Sequence, residues 1–214
     1  MWVRDPTDPP ILTKYETMIT LVKAKDLRPT LETERLLLRP LQLNDAAEVR
    51  RLVGDARVAE NLSVVPHPYP EGLAEEWIAG QRAEYEAGRH LTFGIVGKEK
   101  GNLMGVISLH PEEDLLRAEV GYWVGVPFWG RGYTTEALTE MIRFGFDDFA
   151  LQRIYACHFA SNPASGRVME KAGMKLEGFC KLGASRFGQL KDSFQRAIVQ
   201  PDWARQREAE EIYC

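Results

Sequence analysis

Apolar and polar positions change period several times along the chain. From Arg35 the run RLLLRPL reads as a strand. In the following LNDAAEVRRLVGD, Ala47, Val49, Leu52 and Val53 fall at roughly helical spacing, with Asn44 or Asp45 as cap. The Pro-rich VVPHPYPEG is a loop, and LAEEWIAGQRAEYEAG predicts a helix ended by Gly88. LTFGIVGK and LMGVISLH, joined by the turn EKGN, have the pattern of a hairpin. A third strand, AEVGYWVGV, follows the acidic turn PEEDLL and completes a meander.

The period then returns to helical, with Leu138, Met141, Ile142, Gly145 and Phe149 on one face, so this helix should lie against a sheet. RIYACHFA is the next strand. NPASGRVMEKAG is a short helix with Asn162 as N-cap, Pro163 in the first helical position and Gly173 as the left-handed stop. Strands near KLEGFCKL and KDSFQRAIV close the order. It describes an α+β domain around one mixed sheet over residues 31–204. Residues 1–30 form an N-terminal extension with no clear period, able to pack on the domain or on a neighbouring subunit, and 205–214 a charged C-terminal tail.

With 44% hydrophobic and 27% charged residues in 214, the chain is an ordinary soluble protein able to build one sizeable core. The net charge of -4 argues against binding nucleic acid by phosphate neutralisation, and against anionic membranes. The opening residues lack a signal-peptide pattern and no run of about 18 apolar residues occurs, which makes a cytoplasmic location the expectation. Cys157, Cys180 and Cys214 are too widely spaced for a disulfide framework or a metal knuckle. Cys157 and His158 should point to opposite faces of their strand, so neither a thiol–imidazole pair nor a metal site is expected.

The segment VGVPFWGRGYTTEAL is different in kind. Gly130 and Gly132 flank Arg131 in a strand-to-helix turn, with Thr134 and Thr135 just inside the helix. A helix N-terminus offers unpaired N–H groups and a partial positive charge, and glycines let an anion approach the backbone closely. A tight turn with no ligand would also explain an isolated GxG. No Lys follows Gly132 as a P-loop requires, and Thr135 stands where the dinucleotide fingerprint has its third glycine.

The turn resembles motif A of the GNAT acyltransferases: Gln or Arg, two variable residues, Gly, one variable residue, then Gly or Ala. Here it reads Trp129-Gly130-Arg131-Gly132-Tyr133-Thr134. The surroundings look like the branch typified by the ribosomal-protein N-terminal acetyltransferases RimJ and RimL, where Trp commonly opens the motif and Ala usually stands at the place of Thr134. LETERLLLRPL, NPASGRVMEKAGM and FGQLKDSFQRAIVQPDW are similar to three further segments of that branch, in the same order. The resemblance implies the GNAT fold, a mostly antiparallel sheet splayed between its fourth and fifth strands, with acetyl-CoA as cosubstrate and no metal.

It also implies a reaction, the direct attack of a primary amine on acetyl-CoA through a tetrahedral intermediate, and roles for particular residues. Tyr122, Trp123, Val124, Trp129, Gly130, Arg131, Gly132, Tyr133, Thr134, Thr135 and Asn162 would bind the cosubstrate, the last through its pantetheine. A bulge near Val124 would free a backbone N–H for the thioester oxygen. Glu119 is the candidate base, sharing a strand face with Gly121 and Trp123; a solvated glutamate or a structural ion pair is the plain alternative. Ser165 is the candidate acid, although a third helical residue beside the Asn162 cap needs no ligand to explain it. SVVPHPYP, the helix bearing Trp77, and GASRFGQLKD would choose the acceptor, a protein N-terminus or a small molecule such as a polyamine, antibiotic or amino acid. A non-catalytic acyl-CoA sensor and a homodimeric assembly are compatible with the same residues.

Overall fold

The computed structural model describes residues 28–212 apart from residue 115. The N-terminal extension before residue 28 and Cys214 lie outside the described residues.

Eight strands form one sheet in the order β1-β2-β3-β4-β5-β6-β8-β7. They are β1 (Leu31–Glu32), β2 (Leu36–Arg39), β3 (Leu91–Gly97), β4 (Leu103–Pro111), β5 (Arg117–Val124), β6 (Arg153–Phe159), β7 (Lys175–Arg186) and β8 (Gln189–Val199). The expected first strand is preceded by the two-residue β1, so the fourth and fifth strands of the family pattern are here β5 and β6. Helices α1 (Ala46–Val53), α2 (Ala56–Ala59) and α3 (Leu73–Glu86) precede the meander. α4 (Tyr133–Asp147) joins β5 to β6, and α5 (Pro163–Lys171) joins β6 to β7. The segment read as a charged tail continues as α6 (Gln200–Ile212). Its polar sequence hides its anchors, which are Trp203 against Phe146 with ring centroids 5.3 Å apart and a Lys175–Asp202 ion pair at 2.8 Å.

Every neighbouring pair in the sheet is antiparallel except β5 and β6. That parallel pair holds register only at Arg117↔Arg153, Ala118↔Ile154 and Glu119↔Tyr155. Beyond Glu119 the strands part, and this is the splay. β4 and β5 pair without irregularity from Gly105↔Val124 to Pro111↔Ala118, so the bulge expected near Val124 is absent; the register shifts instead between β3 and β4, at Ile95/Val96.

The two sheet faces carry separate cores. One holds Val49, Val53, Ile78 and Val106 under α1 and α3. The larger holds Phe93, Leu109 and Val120 from one half-sheet, Ile154 and Ile198 from the other, and Leu138, Met141, Ile142 and Phe144 of α4. α4 thus lies across the seam. A methyl group on Gly145 would come within 2.7 Å of Ile154 Cδ1 and 3.2 Å of Leu109 Cδ1, one neighbour from each half. Only a residue without a side chain lets the helix sit so low.

Candidate active site

The parting of β5 and β6 leaves backbone groups of β5 without a strand partner on that side. Gly125 N–H donates to Met104 O at 2.9 Å. Alternation along an antiparallel ladder therefore turns the N–H and C=O of Tyr122 and Val124 away from β4, toward the side that β6 has left. The Val124 carbonyl accepts from the Trp129 indole Nε1 at 2.6 Å. That bond ties the following turn to the end of β5, and the Val124 N–H faces the gap because of the splay rather than a bulge.

The turn itself has two left-handed glycines, Gly130 at φ 72° and Gly132 at φ 81°. Gly132 is the N-cap of α4 and brings no side-chain cap, so the N–H groups of the first helical turn, at Tyr133, Thr134 and Thr135, are left without one. Gly130 has nothing within 4 Å of where a Cβ would stand, and Arg131 is exposed at the apex. An uncapped helix start next to open glycine backbone fits a diphosphate. Behind the turn, Arg35 and Thr33, from the connection between β1 and β2, hold Glu136 of α4. Arg35 Nε lies 2.7 Å and Thr33 Oγ1 2.6 Å from its carboxylate.

On the α4 and α5 side of the gap, the buried Tyr122 hydroxyl stands 2.9 Å from Ser165 Oγ and 3.2 Å from Ser165 O. Burial pushes the tyrosine pKa up to about 12, more than the Ser165 hydrogen bond lowers it, so the phenol keeps its proton at neutral pH. Asn162 Oδ1 accepts from Ser165 N–H at 3.2 Å as the cap of α5. The structure thereby brings Tyr122, Ser165 and Asn162 together at one wall.

Glu119 lies on the other face. Its direct cross-strand neighbours are His110 on β4 and Tyr155 on β6, at the last pair before the strands separate. The side chain is open to solvent along the gap, yet its neighbours remove enough hydration to raise the carboxyl pKa, and Glu112 pushes the same way. His110 Nε2 is 2.7 Å from Ser108 Oγ, and burial, with His90 adding to it, lowers its pKa to about 4, leaving a neutral ring. The Tyr155 hydroxyl is pushed up to about 12, mainly by burial. His110, Ser108 and Tyr155 were not singled out from sequence. Counting outward from the Glu112–Arg117 pair that closes the acidic turn puts His110 opposite Glu119, which is the available signal.

Trp123 packs into the core under α1, and Tyr133 packs on the core under α4 with the Arg35 guanidinium 4.7 Å above its ring. Cys157 and Cys180 are free and exposed, while His158 stacks on Phe194. Among the described residues no group of His, Cys, Asp or Glu is arranged to hold a metal, and no helix is long and apolar enough to cross a membrane. Two of the segments expected to choose the acceptor meet: Arg186, at the end of β7, donates from Nη1 to the carbonyl of Leu62 and, at 3.5 Å, to that of Val65. Around this contact Val64, Phe187 and Leu190 are exposed at 84%, 61% and 59%.

Comparison with known proteins agrees with this geometry. Residues 35–175 match the acetyltransferase (GNAT) domain family. The uncharacterised N-acetyltransferase YoaA of Bacillus subtilis is 29% identical over 179 residues, spanning 81% of this chain and 98% of YoaA. The ribosomal protein uS5-alanine N-acetyltransferase of Escherichia coli is 28% identical over 185 residues, spanning 81% and 92%. Among solved structures, Mycobacterium smegmatis RimJ in complex with CoA-disulfide superposes with a TM-score of 0.72 at 25% identity, over 86% of this chain and 95% of that one. A splayed sheet, a glycine turn opening α4 and a family match across two thirds of the sequence converge on one assignment: the chain belongs to the GNAT acetyltransferase family.

Proposed function

We propose that the protein is an acetyl-CoA-dependent N-acetyltransferase whose acceptor is the α-amine of a polypeptide. The observation that carries the reading is the separation of β5 from β6 just past Glu119, which leaves one gap between an uncapped helix start, a protonated phenol and a carboxyl of raised pKa.

The turn Trp129–Thr135 would hold the diphosphate of the cosubstrate through the backbone of Gly130 to Thr135, with Arg131 adding charge. Trp129 contributes by tethering the turn to Val124 O. The backbone of Tyr122, the N–H of Val124 and the amide of Asn162 would hold the pantetheine. The cosubstrate supplies an activated acetyl group. An N–H aimed from Val124 at a developing oxyanion is worth about 3 to 4 kcal/mol. Glu119, on the opposite face, would take the proton of the incoming ammonium directly or through water, helped by a carboxyl less acidic than usual. Tyr122 and Ser165, joined at 2.9 Å, would return a proton to the departing sulfur.

Support for a polypeptide acceptor comes from the apolar rim of Val64, Phe187 and Leu190, which offers contact to residues beyond the reacting amine. The kinship with a uS5-alanine N-acetyltransferase points the same way. Thiol release from acetyl-CoA, measured over N-terminal peptides, polyamines, amino acids and aminoglycosides, tests the reading. Peptides should be turned over best; preference for a small amine moves the acceptor class, and CoA binding without release by any amine marks a sensor.

Tyr122→Phe is expected to lower kcat on the order of a hundredfold by removing a proton donor. Coenzyme A affinity should change little, since the ring and its packing remain. Comparing kcat with the calorimetric Kd separates the two effects.

A further inference from the structure

Resting on the reading that the glycine turn receives the diphosphate of coenzyme A, we infer that Arg35, outside that turn in sequence, is the residue that fixes its anion-binding shape. Arg35 sits between β1 and β2, and its Nη1 donates to the carbonyl of Arg131 at 3.1 Å. A peptide unit is planar and trans, so its C=O and N–H point in opposite directions. Anchoring the Arg131 carbonyl on the Arg35 side therefore aims the N–H of the same unit, that of Gly132, to the other side. With left-handed glycines at 130 and 132, this unit is the part of the turn whose orientation local sterics constrain least. The Arg35 bond supplies what glycine leaves open.

Arg35 is itself held at three points, two on the guanidinium and one on the backbone. Nε and Nη2 each lie 2.7 Å from Glu136 Oε2. The Arg35 backbone N–H donates to Glu136 Oε1 at 2.8 Å, and the Tyr133 ring lies 4.7 Å beneath. Glu136 belongs to the first turn of α4, so the fork joins the apex of the loop to the helix it opens. Pairing with Arg35 also offsets a carboxylate that would otherwise repel an incoming diphosphate. The closeness of the fit shows at Gly132, where a Cβ would come 3.3 Å from Arg35 Nη2. Thr33, which donates to Glu136 Oε1 at 2.6 Å, shares the carboxylate but does not reach the turn.

The test is calorimetric titration of coenzyme A into the full chain, with the Gly132 amide followed by heteronuclear NMR. Arg35→Ala should weaken affinity about tenfold or more, the loss of one charge-assisted hydrogen bond. The Gly132 amide signal of the free protein should broaden or shift. Arg35→Lys, which keeps the charge without the fork, should fall between wild type and Ala. Thr33→Val should lower the melting temperature while keeping affinity within about twofold, because it loosens the brace without freeing the peptide. Steady-state KM for acetyl-CoA should rise in step with Kd, with KM for the amine unchanged. Unaltered coenzyme A affinity in Arg35→Ala and Arg35→Lys, with only a lowered melting temperature, overturns the inference and leaves the reading of the turn intact. A wild-type chain that binds no coenzyme A overturns both.

Discussion

Gly132→Val is expected to weaken coenzyme A binding on the order of a hundredfold, through two costs that act together. The residue sits at φ 81°, where an L side chain is strained by roughly 1 to 2 kcal/mol, and a β-branched one more. Its Cβ would also stand 3.3 Å from Arg35 Nη2, a tight contact that pushes against the guanidinium holding the Arg131 carbonyl. Relief requires the peptide to rotate or the loop to move, and either change disperses the N–H groups at the start of α4. Calorimetry with coenzyme A, alongside a melting curve to confirm folding, measures the effect. Undiminished affinity in a folded variant would place the diphosphate elsewhere.

Glu119→Gln should lower kcat by about a hundredfold to a thousandfold while leaving coenzyme A affinity nearly unchanged. The substitution keeps size and shape and removes the negative charge and, with it, the capacity to accept a proton. The sign of the pH dependence follows from the direction of the shift. Burial and Glu112 raise the carboxyl pKa, so the ionised, active form is lost as pH falls through a midpoint above the usual carboxylate value near 4.3. The wild-type profile of kcat/KM should show this acid limb, and the Gln variant should lack it. Retention of the limb by the variant would assign the proton transfer to another group, the first candidate being His110, the neutral imidazole paired with residue 119 across β4 and β5.

Local pattern made much of this legible. The glycine turn, the meander, the Asn162–Pro163–Gly173 punctuation and the buried stripe of α4 are short-range features, written in residues within a few positions of one another. The register that places His110 opposite Glu119 is nearly local as well. Other features depend on distant partners. Arg35 meets Arg131 across 96 positions, and Arg186 meets Leu62 across 124, so no window of sequence contains either contact. The helix α6 is hard to read from sequence because, among its described side chains, Trp203 is the one large apolar group packed on the core. The free N–H at Val124 was expected from a local distortion and arises instead from the absence of a neighbouring strand, a property of topology rather than of residues 122–126.

The position of α4 above the seam divides the molecule's tolerance for change. The two half-sheets share three residue pairs, and the helix fills the angle between them, with Gly145 against both. The same helix begins at the glycine turn, so on the proposed reading donor recognition and mechanical integrity reside in one element, where loosening one degrades the other. The Arg186 contact and its apolar surroundings lie outside that element. On the proposed reading, changes at the hairpin and the Pro-rich loop should alter acceptor preference without disturbing the interior, whereas remodelling the donor end should demand compensation throughout it.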